Sequence, residues 1–190
     1  MIQWLHQPKC PVVSTFVEGY WLIEKSNDDD SFQFPKLHPD PCAHLIISPI
    51  NQTYTYDTDK NMESGVGSHI LFPHLHTLQL DHTKPFIHLG VKFKVGALYS
   101  IKSLSPNHPT LDKVVSVDLP TLIDNSELDM SDLLFLARKD GAMCRDQLDK
   151  LLTLWLSQCY QDKYSELTSR AVEIIDVTAI AKLGNKLHCT

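Results

Sequence analysis

Residues Gly90–Ile101 read GVKFKVGALYSI, and this stretch decides the fold class. Val91 and Phe93 alternate with Lys92 and Lys94, the period-two pattern of a strand with one buried face. Gly96 then permits a sharp exit, and Ala97 to Lys102 read as one or two turns of helix. The pattern is extended before this junction and becomes helical after it. Upstream, residues 12–24 mix β-branched and aromatic side chains and read as a long strand, or a strand pair broken near Gly19. Pro39-Asp40-Pro41 is a turn, because proline fixes φ and aspartate bonds its own backbone. It leads into a buried strand at Ala43–Ser48, with Thr53–Thr58 expected as the return strand of a hairpin. Gly65–Phe72, Leu75–Leu80 and Phe86–Lys94 complete a run of short strands at spacings near ten residues, the signature of an antiparallel barrel or sandwich.

Downstream, Val114–Val117 is a short extended piece, Pro120–Asp124 a short helix, and helices are expected at 129–138 and 142–160. The last is the strongest amphipathic helix. Cys144, Leu148, Leu151, Leu152, Trp155, Leu156 and Cys159 fill one face, and Leu154 lies well off it. A polar stretch at 160–166 marks a boundary, which divides the chain into a body at 1–162 and a tail at 163–190.

Composition excludes several classes. The chain has 190 residues, 43% of them hydrophobic and 21% charged, enough for one good core and a small appendage. No apolar run approaches the roughly 20 residues that span a bilayer, and residues 1–17 lack a secretory pattern. A cytoplasmic protein with no membrane partner is expected. Five scattered cysteines without a Cys-x-x-Cys pair suit reduced, packed thiols. The net charge is −6. Residues 163–190 carry four basic and three acidic side chains, which leaves −7 on residues 1–162 and argues against nucleic-acid binding by the body.

The tail, AVEIIDVTAIAKLGNKLHCT at 171–190, has the pattern of a helix-turn-helix cut before its third helix. Ala171, Val172, Ile174 and Ile175 supply one short apolar face, and Asp176 or Thr178 can cap the next helix. Ile180, Leu183 and Leu187 repeat at helical spacing, and Thr190 is placed to cap the DNA-reading helix. The alternative is a plain pair of closing helices.

These features together resemble AraC-type transcription regulators. Leu183, Gly184, Leu187, His188 and Thr190 follow the family's first helix-turn-helix pattern, with Gly184 where alanine and His188 where glycine is usual. YWLIE at Tyr20–Glu24, HPDPCAHLIIS at His38–Ser48 and the Gly90–Ile101 junction resemble, in order, motifs of the N-terminal domain in one branch of that family. Pro41 stands in place of the family's glycine and Val95 in place of its proline.

The resemblance implies an α+β chain: an antiparallel cupin-like β-barrel followed by helices, acting as the effector-sensing and dimerising part of a DNA-binding regulator. DNA would be met only through elements beyond Thr190, so sequence-specific DNA binding by residues 1–190 is not expected. A small-molecule effector pocket would be lined by Leu45, Ile47, Ile70, Phe72, Val91 and Phe93, with His74, His76 and His88 as polar contacts. The same apolar residues could simply fill the barrel. A homodimer would form through the 142–160 helix, with Leu148, Leu151, Leu154 and Trp155 at or near the interface.

Enzymatic chemistry finds little footing. There is no Gly-x-Ser-x-Gly elbow, and seven glycines form no phosphate loop. The alternative to a regulator is a cupin-type metalloenzyme using His74 and His76, with Gly67 and Asp81 in the flanking roles and His88 or His108 as a further ligand. The expectation is no metal, no cofactor and no catalysis.

Overall fold

A computed structural model describes residues 2–26, 33–57, 62–101 and 111–157. The expected tail helices, Cys159, His108, Thr190 and the 163–190 domain lie outside the described residues. In chain order come strand β1 (Ile2–His6), helix α1 (Pro11–Phe16), and strands β2 (Val17–Lys25), β3 (Lys36–Leu37), β4 (His44–Ile47) and β5 (Thr53–Asp57). Strands β6 (Met62–Val66), β7 (His69–Leu71), β8 (Leu78–Leu80) and β9 (Phe86–Phe93) follow, then a 3₁₀ turn at Ala97–Ser100 and β10 (Val114–Ser116). The described chain closes with α2 (Leu119–Leu122), α3 (Met130–Lys139) and α4 (Gly141–Ser157).

Strand β9 is the spine. It pairs antiparallel with β2 from Val17↔Phe93 to Lys25↔Phe86 on one side and with β4 on the other. The six-stranded sheet runs β1-β2-β9-β4-β7-β10, and a second, four-stranded sheet runs β3-β8-β5-β6. Every described pairing is antiparallel. The fold is therefore α+β, as read from the sequence. The expected closed barrel is not found: no ladder joins the two sheets among the described residues, which face each other as separate layers.

Each face of the large sheet has its own core. Ile87, Leu89, Val91 and Phe93 point to the helices, where they pack with Leu45, Ile47, Ile70 and Phe72 and with Val13, Phe16, Leu134, Leu148, Leu152 and Leu156. The alternate residues Ile46 and Leu71 face the second sheet and meet Tyr54, Tyr56, Leu78 and Leu80. Gly96 sits at φ 78, the left-handed corner through which β9 leaves the sheet for the 3₁₀ turn.

The two longer helices, α3 and α4, are capped by aspartates. Asp129 accepts from the Ser131 and Asp132 amides at the start of α3, and Asp140 accepts from the Ala142 and Met143 amides at the start of α4. Asp149 of α4 is buried and holds the layers together. Its carboxylate accepts from the Lys9 and Cys10 amides at 2.8 and 2.9 Å and from the Tyr20 hydroxyl at 2.7 Å.

Three local expectations are corrected. Residues 11–16 form a helix rather than a strand, because Pro11 suits a first turn, Ser14 and Thr15 donate to its carbonyl, and Val13 and Phe16 bury one face. The break falls at Val17, and Gly19 is only a bulge. Thr53–Asp57 does not return on β4 but crosses to the other sheet and pairs with β6 and β8. The single strand expected over 65–72 is two strands in two sheets, divided by Gly67 at φ 76.

Candidate functional site: an apolar cleft between the sheets

The sheets enclose a cleft of about 490 Å³ whose walls are mostly apolar. Its floor is laid by Trp21 and Gly90, cross-strand partners in β2 and β9. A Cβ on Gly90 would lie 2.0 Å from the indole, so only glycine lets the ring lie flat across the strand. Ile23, Ile46, Leu71, Leu80 and Phe86 complete the apolar wall, and exposed Ile2 and Leu5 of β1 stand at its edge. A more polar hollow of about 630 Å³ adjoins it across Tyr56, Leu80, His82, Phe86 and His88.

Histidines are concentrated here. The rings of His69, His88, Phe86 and His82 touch in sequence, with centroids 5.9, 4.8 and 4.0 Å apart. His69 is fully bonded: its Nδ1 donates to the Gly67 carbonyl and its Nε2 accepts from Tyr56. Burial pushes it down to about 4. His88 Nδ1 accepts from Ser48 Oγ at 2.9 Å, and burial, with the neighbouring His69 and His82, pushes that ring down to about 3. Burial, then the Lys25 charge, pushes His82 down to about 4. All three are neutral rings at pH 7.

Among the described residues two imidazole nitrogens are buried without a partner, His82 Nε2 and His74 Nδ1, and both residues line the cleft. His74 Nε2 donates to the His38 carbonyl at 2.8 Å, and in that Nε2–H tautomer Nδ1 is the acceptor nitrogen. Lys25, 8% exposed, also lines the cleft, and its ammonium donates to the His82 carbonyl at 2.7 Å.

Towards the far end of β9 lies a different group. Burial opposes ionisation of Asp40, but hydrogen bonds from His44 and the Cys42 amide, with the charges of His44 and Lys92, hold its carboxyl well below the usual range. Lys92 bridges Asp40 and Glu18 at 3.6 and 3.2 Å. Burial pushes the nearby Cys42 thiol up to about 12, so it is not a thiolate nucleophile.

The candidates read from the sequence divide. His74 and His88 line the cleft. Leu45, Ile47, Ile70, Phe72, Val91 and Phe93 instead fill the helix-facing core, on the opposite side of the same sheet. His76 is exposed while His74 is buried, so the His-x-His pair does not converge. No group of three or more His, Cys, Asp or Glu able to hold a metal occurs among the described residues. On α4, Leu148 and Trp155 are buried in the chain's own core and Leu151 packs partly against it. Leu154 is 74% exposed. Lys25, His82 and Trp21 are not legible in the sequence as site residues. The one local signal, an aromatic opposite a glycine, requires the strand register to be known. No described helix is long and apolar enough to cross a membrane.

Among solved structures the chain is similar to one titled "Crystal structure of the AraC-like transcriptional activator CuxR", with 10% identity and a TM-score of 0.34 over 98% of this chain and 76% of that one. No curated protein matches it. A family model described as "Domain of unknown function (DUF6597)" matches residues 6–115, from the end of β1 into β10 and hence across both walls of the cleft. With more than half of its length matched, the chain belongs to the DUF6597 family.

Proposed function

We propose that this chain is the effector-sensing and self-associating part of an AraC-type transcription regulator that works in the cytoplasm without catalytic chemistry. The observation that carries the reading is the apolar cleft between the sheets, roomy enough for a small molecule and furnished with buried polar atoms that have no partner among the described residues. The motifs that resemble the family support it: Tyr20–Glu24 lies in β2, His38–Ser48 forms the turn into β4, and Gly90–Ile101 is the β9 exit. The two layers are read as a cupin-like barrel open along one side. The helix-turn-helix pattern at 171–190 supplies the link to DNA.

Self-association is assigned to the outer face of α4, where Met143 and Leu154, eleven residues apart and so on one stripe, are both exposed. The test is a fusion of the 190-residue chain to a DNA-binding domain that represses a reporter only as a dimer. Repression above that of the unfused domain, lost on Leu154→Glu, is the expected result. Repression no greater than that of the unfused domain would sink the dimerising role.

A further inference from the structure

We propose that the inter-sheet cleft takes a mostly apolar organic carboxylate, with its acid group held by Lys25 Nζ and His82 Nε2 and its body lying over Trp21. This deepens the sensing reading and rests on it for the ligand's purpose. The chemistry begins with Lys25. A buried ammonium is costly unless an anion or several acceptors surround it. Among the described residues, the one hydrogen-bond partner of Lys25 is the His82 carbonyl, which leaves two of its three N–H donors unused.

His82 brings the second donor to the same place. Its ring lies against Phe86, the cross-strand partner of Lys25, and its Nε2 is buried and unbonded. A carboxylate accepts at two oxygens and donates nowhere, so it satisfies both groups and neutralises the buried charge. Among the described residues no carboxylate pairs with Lys25, so a neutral ligand would bring that charge no counter-charge.

The rest of the cleft sets the body of the ligand. Ile23, Ile46, Leu71, Leu80 and Phe86 offer no charge, and the Trp21 indole offers a flat face. The opposite end cannot take the acid. It holds ionised Asp40 beside Lys92, six residues along β9 from Phe86 or about 20 Å of strand, and Lys92 is already paired to two carboxylates. His74 Nδ1, with Asp40 paired to its backbone, is an acceptor at that end for a hydroxyl or amide N–H on a longer ligand.

The experiment is isothermal titration of the 190-residue chain with biphenyl-4-carboxylate and with biphenyl-4-methanol, its neutral near-isostere. The acid is expected to bind one to one and about tenfold or more tighter than the alcohol, the difference one charge-assisted hydrogen bond supplies. Lys25→Met should bring the two affinities together. His82→Phe keeps the ring contact and removes the donor, so it should narrow the preference by a smaller factor. If Lys25→Met does not fold by circular dichroism, the preference measured in His82→Phe decides. Binding of neither probe, equal affinity for both in the parent, or an unchanged preference in the folded variant overturns the proposal. An alcohol-preferring cleft would remove the acid and leave the sensing role standing. A silent dimer reporter would remove the regulator and leave the acid in place.

Discussion

Asp149 is the residue on which most depends. One carboxylate satisfies two backbone amides ahead of α1 and the hydroxyl of Tyr20, so the helix, the N-terminal segment and the large sheet share a single buried anchor. Asp149→Ala removes all three acceptor contacts and leaves the buried Tyr20 hydroxyl and the two part-buried amides without their acceptor. The expected cost is about 3 to 5 kcal/mol of folding stability, read by urea denaturation. Tyr20→Phe should cost about 1 to 2 kcal/mol alone and almost nothing added to Asp149→Ala, because the bond is already gone. Additive costs would show that the Tyr20 bond contributes nothing. None of this is legible in the sequence. Asp149 reads there as a polar position in an amphipathic helix, and Tyr20 lies 129 residues away. His74 and His76 show the same blind spot. Their spacing promises a shared face, but only Leu75 separates the bridge at His74 from exposed His76, and no strand continues through them.

At the scale of elements, alternation locates strands well and cannot say which face is which. Strand β9 is legible because Val91 and Phe93 alternate with lysines and Gly96 ends the run. Both its faces are buried, however, so parity does not tell the helix-facing core from the cleft, and Leu45, Ile47, Ile70 and Phe72 fall on the wrong side of the sheet for a cleft. The corner at Gly67 is hidden for a related reason: Val66 and Ile70 continue an apolar rhythm across a change of sheet. Gly67→Ala isolates the conformational part of that corner. The nearest atom to an added Cβ is 3.5 Å away, ordinary contact, so the cost is the positive φ alone, about 1 to 2 kcal/mol. A variant as stable as the parent by thermal denaturation would mean that the turn relaxes. Leu154→Glu is the matching surface control. At 74% exposure it should change monomer stability by no more than about 0.5 kcal/mol, so any loss of the dimer reporter reports association and not unfolding.

For the whole molecule, the cluster of neutral histidines couples stability to acid. His69 and His88 titrate in the folded chain at about 4 and about 3, and His82 at about 4, against about 6.5 for an unfolded histidine. Between these values the unfolded chain binds protons that the folded chain refuses, so stability rises with pH. The contribution is fully present above about pH 6.5, declines as pH falls through 6 and 5, and is exhausted near pH 3 to 4. Each deeply buried ring contributes up to about 1.4 kcal/mol per pH unit within the window, so His69 and His88 together give about 2 to 3. His82 is more open to water and adds less. The sign separates this effect from bulk charge. The chain carries −6 at neutral pH with an isoelectric point near 5.9, so acidification towards pH 6 relieves self-repulsion and would by itself stabilise the fold. The urea midpoint is therefore expected to fall steeply between pH 7 and pH 5, by an amount equivalent to about 2 to 4 kcal/mol, where charge alone predicts a rise or no change. His88→Phe, which cannot take up a proton, should make the slope shallower by about one proton's worth. A midpoint that is flat between pH 7 and pH 5, or a His88→Phe slope identical to the parent's, would show that these rings are already charged or reached by water in the folded chain.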